Sequence, residues 1–226
     1  MKKTFYTELS YILGIIILAF GTALMEKADF GMSMVVAPAY ILHLKISEFL
    51  PFFSFGMAEY SLQAVLLILT VIVMRKIKIS YLFSFVTAVL YGFTLDFMMF
   101  ITSPIPDETF AIRIILFIAG IFFGSVGVAL FFETYIPPEA YELIVKEISG
   151  KFGFSIGKTK TAYDCISCIL SIALSFIFFG LWHFEGVKLG TVICALINGW
   201  LIGRISAFIK NHFAIKDKFN LRKLFY

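Results

Sequence analysis

Six segments of this chain are each long and apolar enough to cross a lipid bilayer, and they restrict its fold more than any other feature. A membrane-spanning helix needs roughly 20 mainly apolar residues. Hydrophobic residues make up 60% of the chain and charged residues only 15%, whereas about a quarter of the residues of soluble domains are charged. We predict an all-α polytopic membrane protein that forms a single membrane domain over residues 1–226. The segments are Leu9 to Met25, Met57 to Met74, Ile79 to Thr102, Ile112 to Phe132, Ala162 to Leu181 and Leu189 to Ile209.

The sixth segment is the weakest of these, because glycines and two polar side chains interrupt it. A chain of five helices therefore stays open as an alternative. The interrupting residues are Gly190, Asn198, Gly199, Gly203 and Arg204.

The basic residues favour six spans and a definite orientation. With six spans, 15 of the 19 Lys and Arg residues lie on the same side as the N-terminus and 4 lie on the other. Lys and Arg accumulate in cytoplasmic loops. We therefore predict that Lys2 and Lys223 face the cytoplasm, while Asp107 and Glu185 face outward. The sequence has no basic stripe of the kind that binds nucleic acid.

Two connections between the spans are unusual. The first, Ala28 to Phe53, is largely apolar and contains helix breakers, so we expect a re-entrant or interfacial segment. The second, Glu139 to Ser149, follows Pro137-Pro138 and places apolar residues at helical spacing opposite charged ones. It predicts a short amphipathic helix at the inner membrane interface, ended by Gly150.

The two halves of the chain, residues 1–105 and 106–226, resemble each other. At a shift of about 106 residues, Gly14 and Gly21 fall on Gly120 and Gly127. Further matches follow in the same order at shifts of 101 and 107. Because each half would hold three helices, an odd number, the halves must cross the membrane in opposite directions. Inverted repeats of this kind are found in many secondary transporters, with the binding site near the repeat interface.

Several short glycine and proline motifs also carry a resemblance to a known group. They are Gly31-Met32-Ser33, Pro38, Ser54-Phe55-Gly56, Pro137-Pro138-Glu139, Ser155-Ile156-Gly157 and Leu189-Gly190-Thr191. With these motifs, most of the chain resembles the YczE/YyaS/YitT family of bacterial integral membrane proteins. The resemblance implies location in the bacterial cytoplasmic (inner) membrane and leaves the substrate open.

Three acidic residues within predicted spans are candidates for a substrate or ion pathway, because an ionisable group in a membrane needs a partner, water or a function. Asp96 is the clearest, and the repeat would place it in the cleft near Asn198. A structural hydrogen bond to a neighbouring helix is the open alternative. Asp164, at the predicted start of the fifth helix, also matches a capping box with Thr161. Glu59 occupies the related place in the first half.

Four further polar residues complete the candidates. Asn198 either binds substrate or forms a hydrogen bond across helices. Arg204 either binds an anion or acid, or extends its charge to the interface. Glu26 and Glu133 end the first helix of each half and are either interfacial or parts of gates.

No residue pattern predicts a catalytic site, a cofactor or a metal centre. Gly157-Lys158-Thr159 lacks the spacing of a phosphate loop, and the three histidines lack metal-ligand spacing. Cys165 and Cys168 form a CxxC, which leaves a membrane thiol-redox protein as a minor alternative, although i and i+3 residues of a continuous helix lie too far apart for a disulfide.

We therefore predict a small secondary transporter or permease rather than an enzyme. Its expected partners are the lipid bilayer, a small-molecule or ion substrate and, as an open question, further copies of the chain. The main alternative is an accessory or regulatory membrane protein. A transporter needs a polar cavity near the membrane midplane, whereas an accessory protein can have a dry, packed interior.

Overall fold

The computed structural model describes residues 3–106, 109–154, 156–181, 185–219 and 222–225. Lys2, Asp107 and Ser155, which the sequence predictions use, lie outside these ranges, as does the side chain of Thr161. Over these residues the chain forms eight helices of eleven residues or more, together with two four-residue strands and a final helical turn. In chain order the elements are β1 (Lys3–Tyr6), α1 (Thr7–Ala28), α2 (Ala37–Ser47), α3 (Phe55–Met74), α4 (Ile79–Thr102), α5 (Phe110–Phe132), α6 (Ala140–Phe152), α7 (Ile156–Phe179), α8 (Leu189–His212), β2 (Phe213–Lys216) and α9 (Arg222–Phe225).

Six of these helices, α1, α3, α4, α5, α7 and α8, are long and apolar enough to cross a membrane. This confirms the predicted polytopic all-α fold and includes the sixth span, which the sequence left open. Many of their large apolar side chains are exposed, among them Ile68, Phe100 and Leu196. Such surfaces are stable in contact with lipid. The two short strands were not predicted.

Both ends of the chain lie on the same face of the molecule. β1 pairs with β2 in parallel, with Lys3 opposite Phe213. We call this face the terminal face, and the face that carries Asp29 and Lys188 the loop face. The pairing of β1 with β2 agrees with an even number of spans between them, whereas the location of the two termini in the cytoplasm stays a prediction.

The centre of the molecule is the antiparallel contact between α1 and α5, where glycines bring the two backbones together. A Cβ atom added to Gly14 would lie 3.3 Å from the carbonyl oxygen of Gly127, and one added to Gly21 would lie 2.8 Å from that of Gly120. The sequence shift of 106 pairs Gly14 with Gly120 and Gly21 with Gly127. Gly14 therefore contacts the counterpart of Gly21, and Gly21 contacts the counterpart of Gly14. This reciprocal pattern is the one that a two-fold axis produces. Close packing through small residues is common between membrane helices.

The short helices α2 and α6 lie inside the molecule. Each packs against the following helix of its own half and against the equivalent helix of the other half: α2 against α3 and α7, and α6 against α7 and α3. Ala37, Ala39 and Ile41 of α2 are fully buried, which agrees with a re-entrant segment.

The position of α6 differs from the predicted interfacial helix. The hydroxyl of Thr87 donates to the carbonyl of Pro137 at 3.0 Å, and that of Ser84 donates to Pro138 at 2.5 Å. Thr87 lies eight residues into α4, about 12 Å from its end at 1.5 Å per residue. The start of α6 is therefore about a third of the way along α4 from its terminal-face end, inside the bundle of spans, where these hydroxyls replace water as partners of the backbone. The helix also continues past Gly150 to Phe152 and ends at Gly153, whose φ of 69° favours glycine.

The two halves differ in how their second and third long helices pack. α3 and α4 pack closely, and a Cβ added to Gly92 would lie 2.7 Å from the carbonyl oxygen of Gly56. The equivalent helices α7 and α8 are not packed against each other over the described residues. Gly199, the counterpart of Gly92, has no described atom within 4 Å of an added Cβ. One half of the protein is closed at this position, and the other is open.

Candidate functional site

A small cavity lies between the two halves, lined by the segment that precedes α2 and by the start of α6. It has a volume of about 60 Å³, enough for roughly two water molecules. We call it the central cavity. Several polar side chains line it, together with apolar residues of α1, α5 and α8 and of the segment just before α2. The polar lining residues are Thr22, Ser33, Tyr91, Ser125, Glu139, Tyr141, Glu142 and Asn198.

The central cavity lies deep in the membrane. Glu139, at the start of α6, contacts Gln63, which lies eight residues into α3, about 12 Å from its loop-face end at 1.5 Å per residue. The hydrogen bond from Thr87 to Pro137 places the start of α6 about 12 Å from the terminal-face end of α4. Helix N-termini carry a partial positive charge, so the ends of α2 and α6 add to the polarity that the side chains supply.

Two buried carboxyl groups share one amide beside this cavity. Nε2 of Gln63 lies 3.4 Å from Oε2 of Glu59 and 3.2 Å from Oε2 of Glu139. We call Glu59 and Glu139 the carboxyl pair. Oε1 of Gln63 accepts the backbone N–H of Ala140 at 3.0 Å, and the hydroxyl of Tyr141 donates to Glu59 at 2.8 Å. The amide of Gln63 thereby fixes the first turn of α6 to the middle of α3.

Each member of the carboxyl pair retains one oxygen without a partner. Glu59 is 0% exposed and Glu139 is 4% exposed, and Oε1 of each forms no hydrogen bond with any described residue. A buried polar atom without a partner costs about 1–3 kcal/mol. Such an atom in a native interior points to an occupant, which can be a proton, an ion or water.

A second acidic group lies on the terminal-face side of the carboxyl pair. Nζ of Lys160 is 3.0 Å from Asp164 and 4.0 Å from Glu142. α7 begins at Ile156 rather than near Asp164, so Asp164 lies two turns inside the helix and not at its start. The predicted capping role for Asp164 is therefore wrong, and its carboxylate is instead paired with Lys160 on the same helix.

Asp96 lies between α3 and α4 rather than in the central cavity. Its carboxylate accepts the hydroxyl of Ser54 at 2.5 Å and the backbone N–H of Gly56 at 2.8 Å. Ser54 in turn accepts the N–H of Met57 at 3.1 Å. The expected proximity to Asn198 is therefore corrected, because the free N–H groups at the start of α3 bind the carboxylate. Asp96 does point away from lipid, into polar surroundings.

Asn198 and Arg204 have separate positions. Asn198 lines the central cavity, and its Oδ1 is buried without a described hydrogen-bond partner. Arg204 is exposed, and its guanidinium lies 5.5 Å from the ring centroid of Trp200. The structure thus brings Asn198 to the same cavity as Glu139 and keeps Arg204 away from it.

The two proposed gate residues lie at opposite faces. Glu133 is buried near the terminal face and is 3.2 Å from Nζ of Lys210. Glu26 lies near the loop face, where the hydroxyl of Tyr40 donates to it at 3.5 Å. Neither side chain lines the central cavity, and a role of either as a gate stays a prediction.

The cysteines are unbridged and lie on helices α7 and α8. Cys165 and Cys168 lie within the continuous helix α7, so the unwound turn that a disulfide between them requires is absent in this part of the described chain. Among the described residues, no cluster of three or more His, Cys, Asp and Glu side chains is arranged to hold a metal ion.

Most of the cavity lining, and both Gln63 and Glu139, were not predicted as candidates. Gln63 is an amide in the middle of a span, which is by itself a signal of function or helix contact. Glu139 lies in the segment predicted as an interfacial helix, and the Pro137-Pro138 motif before it does not reveal its depth in the membrane.

Comparison with known proteins places the chain in a family and no further. The family described as "Family of unknown function (DUF6198)" matches residues 5–207. No curated protein and no solved structure matches the chain.

Proposed function

This chain belongs to DUF6198, a family of unknown function, and we propose that it is a small secondary transporter or permease. Its substrate path runs through the central cavity. The observation that carries this proposal is a group of polar and acidic side chains in the otherwise apolar lining of a cavity inside an apolar membrane protein. The main alternative, an accessory protein, has no need of buried polar groups at this depth.

The lining of the central cavity suggests a substrate class. Glu139 and Glu142 supply carboxyl groups, and Asn198 supplies an amide whose buried oxygen is free among the described residues. The amide oxygen and the carboxyl groups accept hydrogen bonds, and each carboxyl group carries negative charge only when it is ionised. They favour a small cation or a neutral solute rich in hydrogen-bond donors.

The difference between the two halves supports a mechanism. In inverted-repeat transporters, access alternates when one repeat moves against the other around a fixed site. Here α3 and α4 are packed while α7 and α8 are apart. We propose that the second state reverses this: α7 closes on α8 at Gly199, and α3 separates from α4 at Gly92.

We also propose the finer assignments that the sequence suggests. The protein would lie in the bacterial cytoplasmic membrane with its terminal face in the cytoplasm, as the distribution of Lys and Arg indicates. The glycine and proline motifs support a relationship to the YczE/YyaS/YitT family.

Water access to the central cavity tests the transporter without knowledge of the substrate. In a variant whose native cysteines are replaced, Ser125→Cys places a thiol on the cavity wall, which we call the cavity thiol. Ala88→Cys supplies the control thiol, because Ala88 is 0% exposed and does not line the cavity. We expect charged, water-soluble thiol reagents to modify the cavity thiol and not the control thiol.

The same experiment distinguishes the two functional classes. Reaction of the cavity thiol from each face in turn, in right-side-out and inverted vesicles, is the result that a transporter predicts. If the cavity thiol reacts no faster than the control thiol from either face, the interior is dry and the accessory protein is favoured.

A further inference from the structure

If both members of the carboxyl pair, Glu59 and Glu139, were ionised, no described cationic side chain in contact with them would neutralise their negative charge. Both side chains are buried, and both accept from the single amide of Gln63. Two ionised carboxylates sharing one site in a dry interior repel each other, and such a pair retains a proton. Lys160 contacts Glu142 and Asp164 rather than either member of the pair.

The titratable groups around the carboxyl pair supply no cation that contacts it among the described residues. Most of them are acids or phenols that cannot carry positive charge. Those that act on the pair are Tyr11 on α1, Tyr91 on α4, Tyr141 and Glu142 on α6, and Lys160 and Tyr163 on α7. The lysine attracts the pair only from a distance.

The unpartnered oxygens show where a proton can reside. Oε1 of Glu59 and Oε1 of Glu139 are buried and form no hydrogen bond with described residues. A protonated carboxyl carries its O–H on one oxygen while the other still accepts. Glu139 also lines the central cavity, so a proton on it has a route to the substrate path.

We propose that Glu59, Gln63 and Glu139 form a proton-binding site, in which the carboxyl pair holds one dissociable proton at neutral pH. The proton leaves through Glu139 when the central cavity opens to water. Release produces one carboxylate and one hydrated proton, so no co-reactant is needed. The role of this proton in driving transport rests on the transporter proposed above, whereas its presence does not.

Burial and nearby charge act in the same direction on Glu139. Removal from water, followed by the negative charges of Glu142 and Glu59, raises the pKa of Glu139 well above its ordinary value. Between the ordinary pKa and this raised pKa, the folded protein binds more protons than the unfolded chain. Stability therefore falls as pH rises through that window and is retained at acidic pH.

Infrared spectroscopy of the purified protein in lipid tests the site directly. We expect the carbonyl band of a protonated carboxyl at neutral pH, lost when the sample is made alkaline. Glu59→Gln and Glu139→Gln should each remove or displace this band, since an amide keeps the shape and carries no dissociable proton. Glu48→Gln is the control, because Glu48 is exposed and paired with Lys45, and it should leave the band unchanged.

Thermal unfolding at increasing pH gives an independent readout. The wild-type midpoint should fall as pH rises above neutral, and that of Glu139→Gln should fall less. If Glu139→Gln does not insert, Glu59→Gln carries the same test. A wild-type spectrum without the band at neutral pH, or a band that neither Gln variant changes, would overturn the proposal. A sodium-dependent midpoint without the band would assign the site to a metal cation instead.

These outcomes are separate from those of the cavity experiment. A band that behaves as expected in a protein whose cavity thiol never reacts would keep the proton site and reject the transporter. Reaction of the cavity thiol in a protein without the band would keep the transporter and reject the proton site.

Discussion

At the scale of single residues, hydrogen-bond partners rather than depth in the membrane separate the acidic side chains. Asp96 is satisfied by the start of α3, with its oxygens on Ser54 and Gly56. Glu59 and Glu139 each keep an oxygen without a described partner. The sequence alone could identify these residues as costly in a bilayer, but not which of them would find donors, because the donors are backbone and amide groups of distant segments.

We predict that Asp96→Asn affects stability and not access to the central cavity. The amide can still accept a hydrogen bond, but it loses the negative charge that favours a helix N-terminus, a contribution of about 1 kcal/mol. The measurement is the free energy of unfolding in detergent or lipid, together with the reactivity of the cavity thiol at position 125.

The control for this variant is Glu48→Gln, which removes an exposed charge and should change neither quantity. Normal stability of Asp96→Asn combined with a lost reaction at the cavity thiol would return Asp96 to the pathway, where the sequence placed it.

At the scale of helices, the lengths of the apolar segments were enough to predict the six spans. A segment in lipid must satisfy its own backbone hydrogen bonds, so each long apolar segment forms a helix. The sequence could not place α6 in depth. Its pattern of apolar and charged residues fits a membrane surface as well as a pocket made by Gln63, Ser84 and Thr87. That pocket exists only after α3 and α4 have packed.

We predict that Gln63→Leu loosens α6 from the middle of α3. The substitution removes the acceptor of the Ala140 N–H and the shared donor to Glu59 and Glu139. At about 1–3 kcal/mol for each buried group, the free energy of unfolding should fall by about 3 kcal/mol or more.

Thr94→Ala is a suitable comparison for Gln63→Leu, since the exposed hydroxyl of Thr94 bonds only the carbonyl of Leu90 in its own helix. It should cost under about 0.5 kcal/mol. Equal effects of the two variants would show that the bonds of Gln63 do not hold α6.

The glycines of α4 and α8 give a prediction about the proposed second state. Gly92→Ala places a Cβ against the backbone of α3 and should destabilise the protein by about 1–3 kcal/mol. Gly199→Ala meets no described atom and should leave stability unchanged. It should nevertheless prevent α7 from closing on α8, so that the cavity thiol reacts from one face only.

Gly150→Ala provides the matched control, because it too has open space in the described structure and lies away from α8. Reaction of the cavity thiol from both faces in Gly199→Ala would contradict the exchange between halves. A change in the mass of the purified complex caused by Gly199→Ala would indicate that a second copy of the chain covers this position.

At the scale of the whole molecule, the reciprocal glycine contacts of α1 and α5 support the inverted repeat seen in the sequence. The repeat could be recognised from sequence because the shift preserves glycine spacing within each half. The unequal closure of the two halves could not, because equivalent residues such as Gly92 and Gly199 have the same identity but different neighbours.

We predict an orientation with the terminal face in the cytoplasm. A cysteine at position 185 should react with an impermeant reagent in intact cells, and one at position 223 should react only after lysis. Reaction at 223 alone would reverse the orientation, and reaction at both positions would contradict the even number of spans.

The pairing of β1 with β2 also has a consequence for synthesis. The first strand leaves the ribosome long before its partner, and it stays an unpaired edge until the last helix has entered the bilayer. The parallel pair can therefore form only after α8 and β2 have been synthesised. A product that stops before Phe213 would keep the edge of β1 unpaired on the terminal face.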